Sequence, residues 1–189
     1  VNDGLLEVLP QRGTKVSLID MERVSATIYM RTIVEIQILK DCIDRISPLQ
    51  LKQLKDDLRQ QREAIDAGID PAGFYQLDSL FHEHIFTIAS QRTVWQIIDQ
   101  MKVHYARFRM LDVKSSGPMR DLLKDHEQIL AVIENRQKEQ CAGILRYHLE
   151  GGVRRLHDRI DREFSSYFKR PEADEADLSI TKASSGSQR

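Results

Sequence analysis

From Asp20 to about Phe168 the apolar residues recur every three or four positions, and this period constrains the fold more than any other feature of the chain. Residues so spaced line one stripe of a helix; a strand, whose faces alternate every residue, cannot gather them on one side. Punctuation divides the pattern. Ser47-Pro48 and Asp70-Pro71 each put a capping side chain before a proline suited to the first helical turn. "SSGP" at 115–118 interrupts a later run. The spacing predicts helices over about 21–43, 48–67, 71–90, 92–113, 119–135 and 138–168, the last bending at Gly151-Gly152. Six helices with short connections predict an all-α antiparallel bundle.

The first 19 residues read differently. "LLEVLPQRGTKVSLI" holds two short apolar runs, 5–9 and 15–19, around a Pro-Gln-Arg-Gly connection in which Gly13 can supply a positive φ. That predicts a β-hairpin. A lone two-stranded ribbon is marginal in water, so the hairpin reads as part of a larger unit lying upstream. Residues 20–170 form the predicted helical domain. The stretch 171–189, "PEADEADLSITKASSGSQR", is polar and predicted to be a flexible tail.

Charge and composition narrow the function classes. A formal net charge of -1 argues against a surface built mainly to hold phosphates. No apolar run approaches the roughly 20 residues that span a bilayer, and no leader pattern is visible. The expectation is a cytoplasmic protein without a membrane partner. Cys42 and Cys141, far apart and each in a predicted helix, suit reduced core thiols.

The third helix carries the informative anomaly. Phe74, Leu77, Phe81, Ile85, Ile88 and Ala89 make an apolar stripe, yet Asp78 and His82 stand inside it. An i,i+4 pair is only about 40° apart around the axis, so both side chains point into the same region. His126 interrupts the stripe of Leu122, Leu123, Ile129, Leu130 and Ile133. His148 interrupts that of Cys141, Ile144, Leu145 and Leu149. A single inward histidine is usually a satisfied core residue, and an Asp-x-x-x-His pair can be a plain hydrogen-bonded couple. Four such groups on three helices are harder to explain apart, because each buried polar group costs a few kcal/mol unless paired. One divalent metal would satisfy all four. Imidazole nitrogens with one carboxylate suit zinc first, then nickel, manganese or iron, rather than calcium.

The other histidines and arginines have separate readings. His84, about 200° round from His82, should face solvent, and His157 sits among charged residues. His104 reads as a pocket-lining or structural residue. Arg31 and Glu35 are either an intrahelical ion pair or an inward guanidinium ready to grip a ligand carboxylate. Arg107 and Arg109 on the fourth predicted helix could supply the same grip.

An open metal position also suits an enzyme acting on small carboxylic acids, which would need a general base beside metal-bound water. Glu83, Asp125 and Glu127 each follow or precede a ligand, so each should point about 100° away from it, leaving Glu35 as the exception. A purely structural bundle with packed histidines is the third reading.

These residues carry a family resemblance. "DSLFH" followed by His126 and His148 resembles the FCD domain, the effector-binding domain of the FadR subgroup of GntR-family bacterial transcription regulators. "MRTIVE" resembles that domain's Arg-x-x-hydrophobic-Glu signature, and "GLLEVLPQRGTKVSLID" resembles the wing and linker of its winged helix-turn-helix. The match runs from about Asp3 to Phe168. The resemblance implies a metal on Asp78, His82, His126 and His148, with a small organic acid bound to it and to neighbouring groups. It also implies a homodimer that meets operator DNA through a winged helix-turn-helix of which only the wing stands in this sequence.

Overall fold

The computed structural model describes residues 4–114 and 116–170. The hairpin is present as β1 (Leu6–Leu9) and β2 (Gly13–Val16), antiparallel, with Leu6 opposite Val16 and Leu9 opposite Gly13. Gly13 has φ +94°, the conformation the turn needs and a side chain would resist. Among the described residues seven α-helices follow: α1 (Met21–Arg45), α2 (Pro48–Asp66), α3 (Pro71–Ile88), α4 (Arg92–Gln100), α5 (Val103–Asp112), α6 (Ser116–Glu134) and α7 (Cys141–Arg159). The fold is an all-α bundle with a short hairpin at its edge. The expected tail, 171–189, lies outside the described residues.

The capping signals act as the sequence suggests. Asp20 accepts from the backbone N–H groups of Glu22 and Arg23 at the start of α1. Ser47 and Gln50 form a reciprocal capping box ahead of α2, with Pro48 at the first helical position. Asp70 caps α3 through the Gly73 N–H at 2.7 Å.

Three expectations need correction. The helix expected over 92–113 is two, α4 and α5, separated at Met101-Lys102. Neither glycine nor proline marks the break, and buried Trp95, Ile98, Tyr105 and Arg109 keep a near-helical spacing across it. The "SSGP" interruption falls partly inside α6, which starts at Ser116 and accommodates Pro118 in its first turn, where the missing N–H costs nothing. No break occurs at Gly151-Gly152. There α7 runs on, and a Cβ on Gly152 would lie 3.1 Å from both Phe108 and Asp112 of α5. That glycine permits close packing; the departure from α-geometry comes later, in a wide turn over Ile160–Phe164.

The core forms two apolar clusters. One gathers Leu39 and Ile43 of α1, Leu54 and Leu58 of α2, Phe74 and Phe81 of α3, Ile129 and Ile133 of α6, and Leu145 of α7. The other joins Val24 and Ile28 of α1, Tyr105 and Phe108 of α5, Leu149 and Leu156 of α7, and Ile19 and Phe168. Along α1 the two clusters are divided by Arg31, Thr32 and Glu35, all buried, and along α7 by His148. A polar layer thus occupies the seam between them. No helix among the described residues is long and apolar enough to cross a membrane.

Candidate metal centre

Asp78 and His82 of α3, His126 of α6 and His148 of α7 meet in that seam. One donor atom from each lies within 4.8 Å of all the others, and all four side chains are buried. His82 Nε2 and His148 Nε2 are 3.2 Å apart, and His126 Nε2 is 3.5 Å from Asp78 Oδ1. Phe81 packs its ring on His126 and Trp95 lies parallel to His82, giving the centre apolar walls.

The outer nitrogens have their own neighbours. His82 Nδ1 is 2.8 Å from Glu35 Oε2, His126 Nδ1 is 2.9 Å from Gln61 Oε1, and His148 Nδ1 is 3.4 Å from Asp125 Oδ2, an attraction that falls short of hydrogen-bond geometry. A carboxylate can only accept, so His82 Nδ1 carries a proton towards Glu35, while His82 Nε2 and His148 Nε2 share a hydrogen bond whose donor depends on the tautomer. His126 Nε2 is buried and makes no hydrogen bond among the described residues. The unpartnered His126 nitrogen and the His82–His148 nitrogen pair, gathered beside the Asp78 carboxylate, are donor positions that one cation would satisfy together. On that ground the donor set fits a divalent metal of borderline softness.

Charges reinforce the fit. Burial raises the Asp78 carboxyl pKa, but the Arg109 guanidinium, foremost among its neighbours, outweighs it and holds it well below the usual carboxylate range. Burial likewise disfavours ionised Glu35, yet Arg31 and His82 bring it down to about 2. Burial, with neighbouring cationic groups adding to it, pushes His126 and His148 well below the ordinary histidine value, so both present neutral rings.

Around the quartet lies a buried ion network. Arg31 Nε donates to Glu35 at 2.6 Å while its guanidinium stands 5.0 Å from the Tyr105 ring centroid and 5.8 Å from that of Trp95. Arg109 donates to Asp78 and to Asp112, each at 3.0 Å, and Arg155 of α7 grips Asp112 with two bonds. Arg31 is therefore both the intrahelical ion pair and an inward arginine, because the helix face that carries the pair faces the seam.

Three other residues stand elsewhere than expected, while His104 has the structural place its reading gave it. Arg107 is not at the centre; it donates to the Ser17 carbonyl at 2.8 Å and holds the strand-to-helix linker. His104 accepts the Asp20 N–H at 3.1 Å in the same place. His84 is not free in solvent but lies 2.6 Å from buried Asp57 of α2. Asp125 turns towards His148 across the α6–α7 interface rather than away from the centre, since its neighbour His126 already takes the inward position. Gln61 and Asp112 were not singled out from the sequence. Gln61 had a signal: it sits in the stripe Leu54, Leu58, Ile65 as the histidines sit in theirs.

The chain is similar to known proteins over most of its length. A family model described as FCD domain matches residues 27–151. The HTH-type transcriptional repressor RspR of Escherichia coli K12 is 29% identical over 149 residues, 78% of this chain and 64% of RspR. An HTH-type transcriptional regulator of Streptomyces ambofaciens is 27% identical over 161 residues, 85% of this chain and 65% of that protein. The chain thus spans somewhat under two thirds of the length of these relatives. Among solved structures, E. coli McbR/YncC superimposes with a TM-score of 0.72 at 17% identity, covering 84% of this chain and 79% of that one. Streptococcus agalactiae GntR gives 0.57 at 21% identity, covering 82% and 76%. At those identities the likeness speaks for the fold.

Proposed function

This chain belongs to the FCD domain family, and from that premise we propose that it is the ligand-sensing part of a cytoplasmic GntR-family transcription regulator. It binds a divalent metal, zinc first, on Asp78, His82, His126 and His148, and a small organic acid beside it. The observation that carries this reading is the quartet itself: four buried donors converge while an acceptor stands beside each histidine's outer nitrogen.

Charge supports an anionic effector. The buried carboxylates of Glu35, Asp78 and Asp112 are matched by the guanidinium groups of Arg31, Arg109 and Arg155. A dication adds two positive charges to that balanced set. The Asp125 carboxyl, whose charged form burial disfavours, offsets at most half of them. A carboxylate ligand would supply the rest. Arg31 Nη2 and Arg109 Nε are buried and make no hydrogen bond among the described residues, leaving donors for such a ligand. When bound, the metal supplies a fixed positive charge that orients the acid; the arginines set which acids fit.

The relatives are named as HTH-type regulators, and the hairpin is read as the wing of a winged helix-turn-helix in the longer protein, acting as a homodimer on operator DNA. For the acid to matter, it must bind two arrangements of the DNA-reading units unequally, with a coupling of about 1–3 kcal/mol. An enzyme is not favoured. Glu35 is committed to Arg31 and His82, and Asp125 faces His148, so neither is a free base for metal-bound water.

The test is elemental analysis of the purified chain and of its His126→Ala and His148→Ala variants, then calorimetric titration of the zinc-loaded protein with small carboxylic acids. The wild type should hold one metal per chain, both variants should lose it, and acid binding should vanish with the metal. Stoichiometric metal in both variants would overturn the ligand assignment.

A further inference from the structure

Helix α2 contributes no candidate ligand, yet it reaches the centre through one side chain. Gln61 is fully buried and bonds on both sides. Its amide nitrogen donates to the Leu77 carbonyl at 3.1 Å, and its amide oxygen lies 2.9 Å from His126 Nδ1. A carbonyl only accepts, so the NH₂ end must face Leu77 and the oxygen must face the imidazole. An oxygen there requires a proton on Nδ1. His126 then turns an unprotonated Nε2 towards Asp78 Oδ1, 3.5 Å away. With the other tautomer two lone pairs would face each other at 2.9 Å, and an N–H would occupy the side where the quartet meets.

We infer that Gln61 is a positioning residue for the metal: it locks His126 in the tautomer that can ligate and fixes that ring relative to Asp78. This inference rests on the metal reading above. The anchor makes it specific, because Leu77 immediately precedes Asp78 on α3. One amide thus spans the backbone beside one ligand and the side chain of another, on two helices. A second strut of α2 lies one turn earlier. There Asp57 accepts from Gln53 at 3.0 Å and lies 2.6 Å from His84 of α3, holding α2 against the helix that carries Asp78 and His82. His82 and His148 face carboxylates, whereas His126 faces a neutral amide; Gln61 orients its ring without adding negative charge.

Two variants of the full chain test this. Gln61→Leu keeps the volume and removes both bonds; Gln61→Glu keeps an acceptor for His126 but loses the donor to Leu77. Zinc affinity is measured by chelator competition, and the His126 tautomer of the metal-free protein by long-range ¹H–¹⁵N correlation spectra. Wild type should show the proton on Nδ1. The Leu variant should show mixed tautomers and bind zinc about 10–100-fold more weakly, the usual scale for removing an outer partner of a ligating histidine. The Glu variant should hold the tautomer and most of the affinity while the metal-free protein melts lower. A merely structural Gln61 would lower melting in both variants and leave the zinc affinity of the folded protein alike in all three. That pattern, or a zinc-binding wild type whose metal-free His126 is protonated on Nε2, overturns the lock. A wild type with the Nδ1 proton that binds no zinc overturns the metal reading instead, and with it the purpose assigned to the lock.

Discussion

Arg107 and Arg109 are two residues apart on α5 and hold opposite regions of the molecule. Arg109 faces the candidate metal centre, is fully buried, and bonds two carboxylates. Arg107 faces the hairpin linker and bonds Ser17 from a half-buried position. In the centre, charged groups are bonded to other charged groups in a dry seam. At the linker, one bond accepted by His104 and two donated by Arg107 to Ser17, with the Ile19–Phe168 bridge, hold a hairpin whose Val8 and Val16 stay more than half exposed. The difference is one of replaceability. Water can take over a lost bond at the linker and cannot reach one in the centre, so the centre is rigid and the linker is the region that can yield. Both are attached to one ten-residue helix, which physically joins the buried centre to the hairpin.

The two regions should differ most at Arg109. Arg109→Met leaves Asp78 and Asp112 buried with a partner removed, and losing one member of a buried ion pair costs about 3–5 kcal/mol. Urea denaturation of the metal-free protein should show a loss of that size. A cost below 1 kcal/mol would mean that the seam is wetter than its geometry implies. Metal removal comes next. With free zinc about 100-fold above its dissociation constant, binding adds about 2.7 kcal/mol, or about 5–10 °C in melting temperature for a chain of this size. Chelator should remove that increment from the wild type and change nothing in His148→Ala. At the linker, Arg107→Met should cost less than about 1 kcal/mol globally, because water replaces the guanidinium. The loss should appear locally, as faster amide exchange in the hairpin. Equal global costs for Arg107→Met and Arg109→Met would erase the distinction between the regions.

Much of this was legible beforehand, for a reason that also explains what was missed. Asp78, His82, His126 and His148 announce themselves because each interrupts an apolar stripe whose helical period fixes where it points. Gln61 and Asp57 break the stripe of Leu54, Leu58 and Ile65 in the same way, but α2 is so charged that two more polar residues do not stand out. The caps at Asp20, Ser47 and Asp70 were legible because capping is local chemistry. The α4–α5 break was not, since tertiary packing sets it while the apolar spacing continues across. Nor was the choice between Arg107 and Arg109: the two point about 200° apart, but which face of α5 meets the centre depends on α3 and α7, remote in sequence.

The smallest expected effect is the most local. His104 accepts the Asp20 N–H through Nδ1, so the bond exists only while that nitrogen is bare. Burial, with Arg23 and Arg107 adding to it against an opposing pull from Asp20, holds the His104 pKa below its ordinary 6.5. The unfolded chain therefore takes up the proton near pH 6.5 while the folded chain resists until a lower pH. Stability from this link is complete above about pH 6.5 and drains away as the pH falls from there to the depressed folded value. Its size is that of one ordinary hydrogen bond, about 0.5–1.5 kcal/mol. His126 and His148, also held neutral by burial, pull global stability the same way, so melting curves cannot isolate it. The methyl resonances of Val8 and Val16 can. As the pH falls from 7.5 through the depressed His104 value they should shift towards a loosened hairpin in the wild type, and in His104→Leu they should sit at the loosened position throughout. A wild-type hairpin that ignores pH over this range would mean that Arg107 and the Ile19–Phe168 bridge hold the linker without His104, and the linker would then be stiffer, and closer in kind to the metal centre, than its exposure suggests.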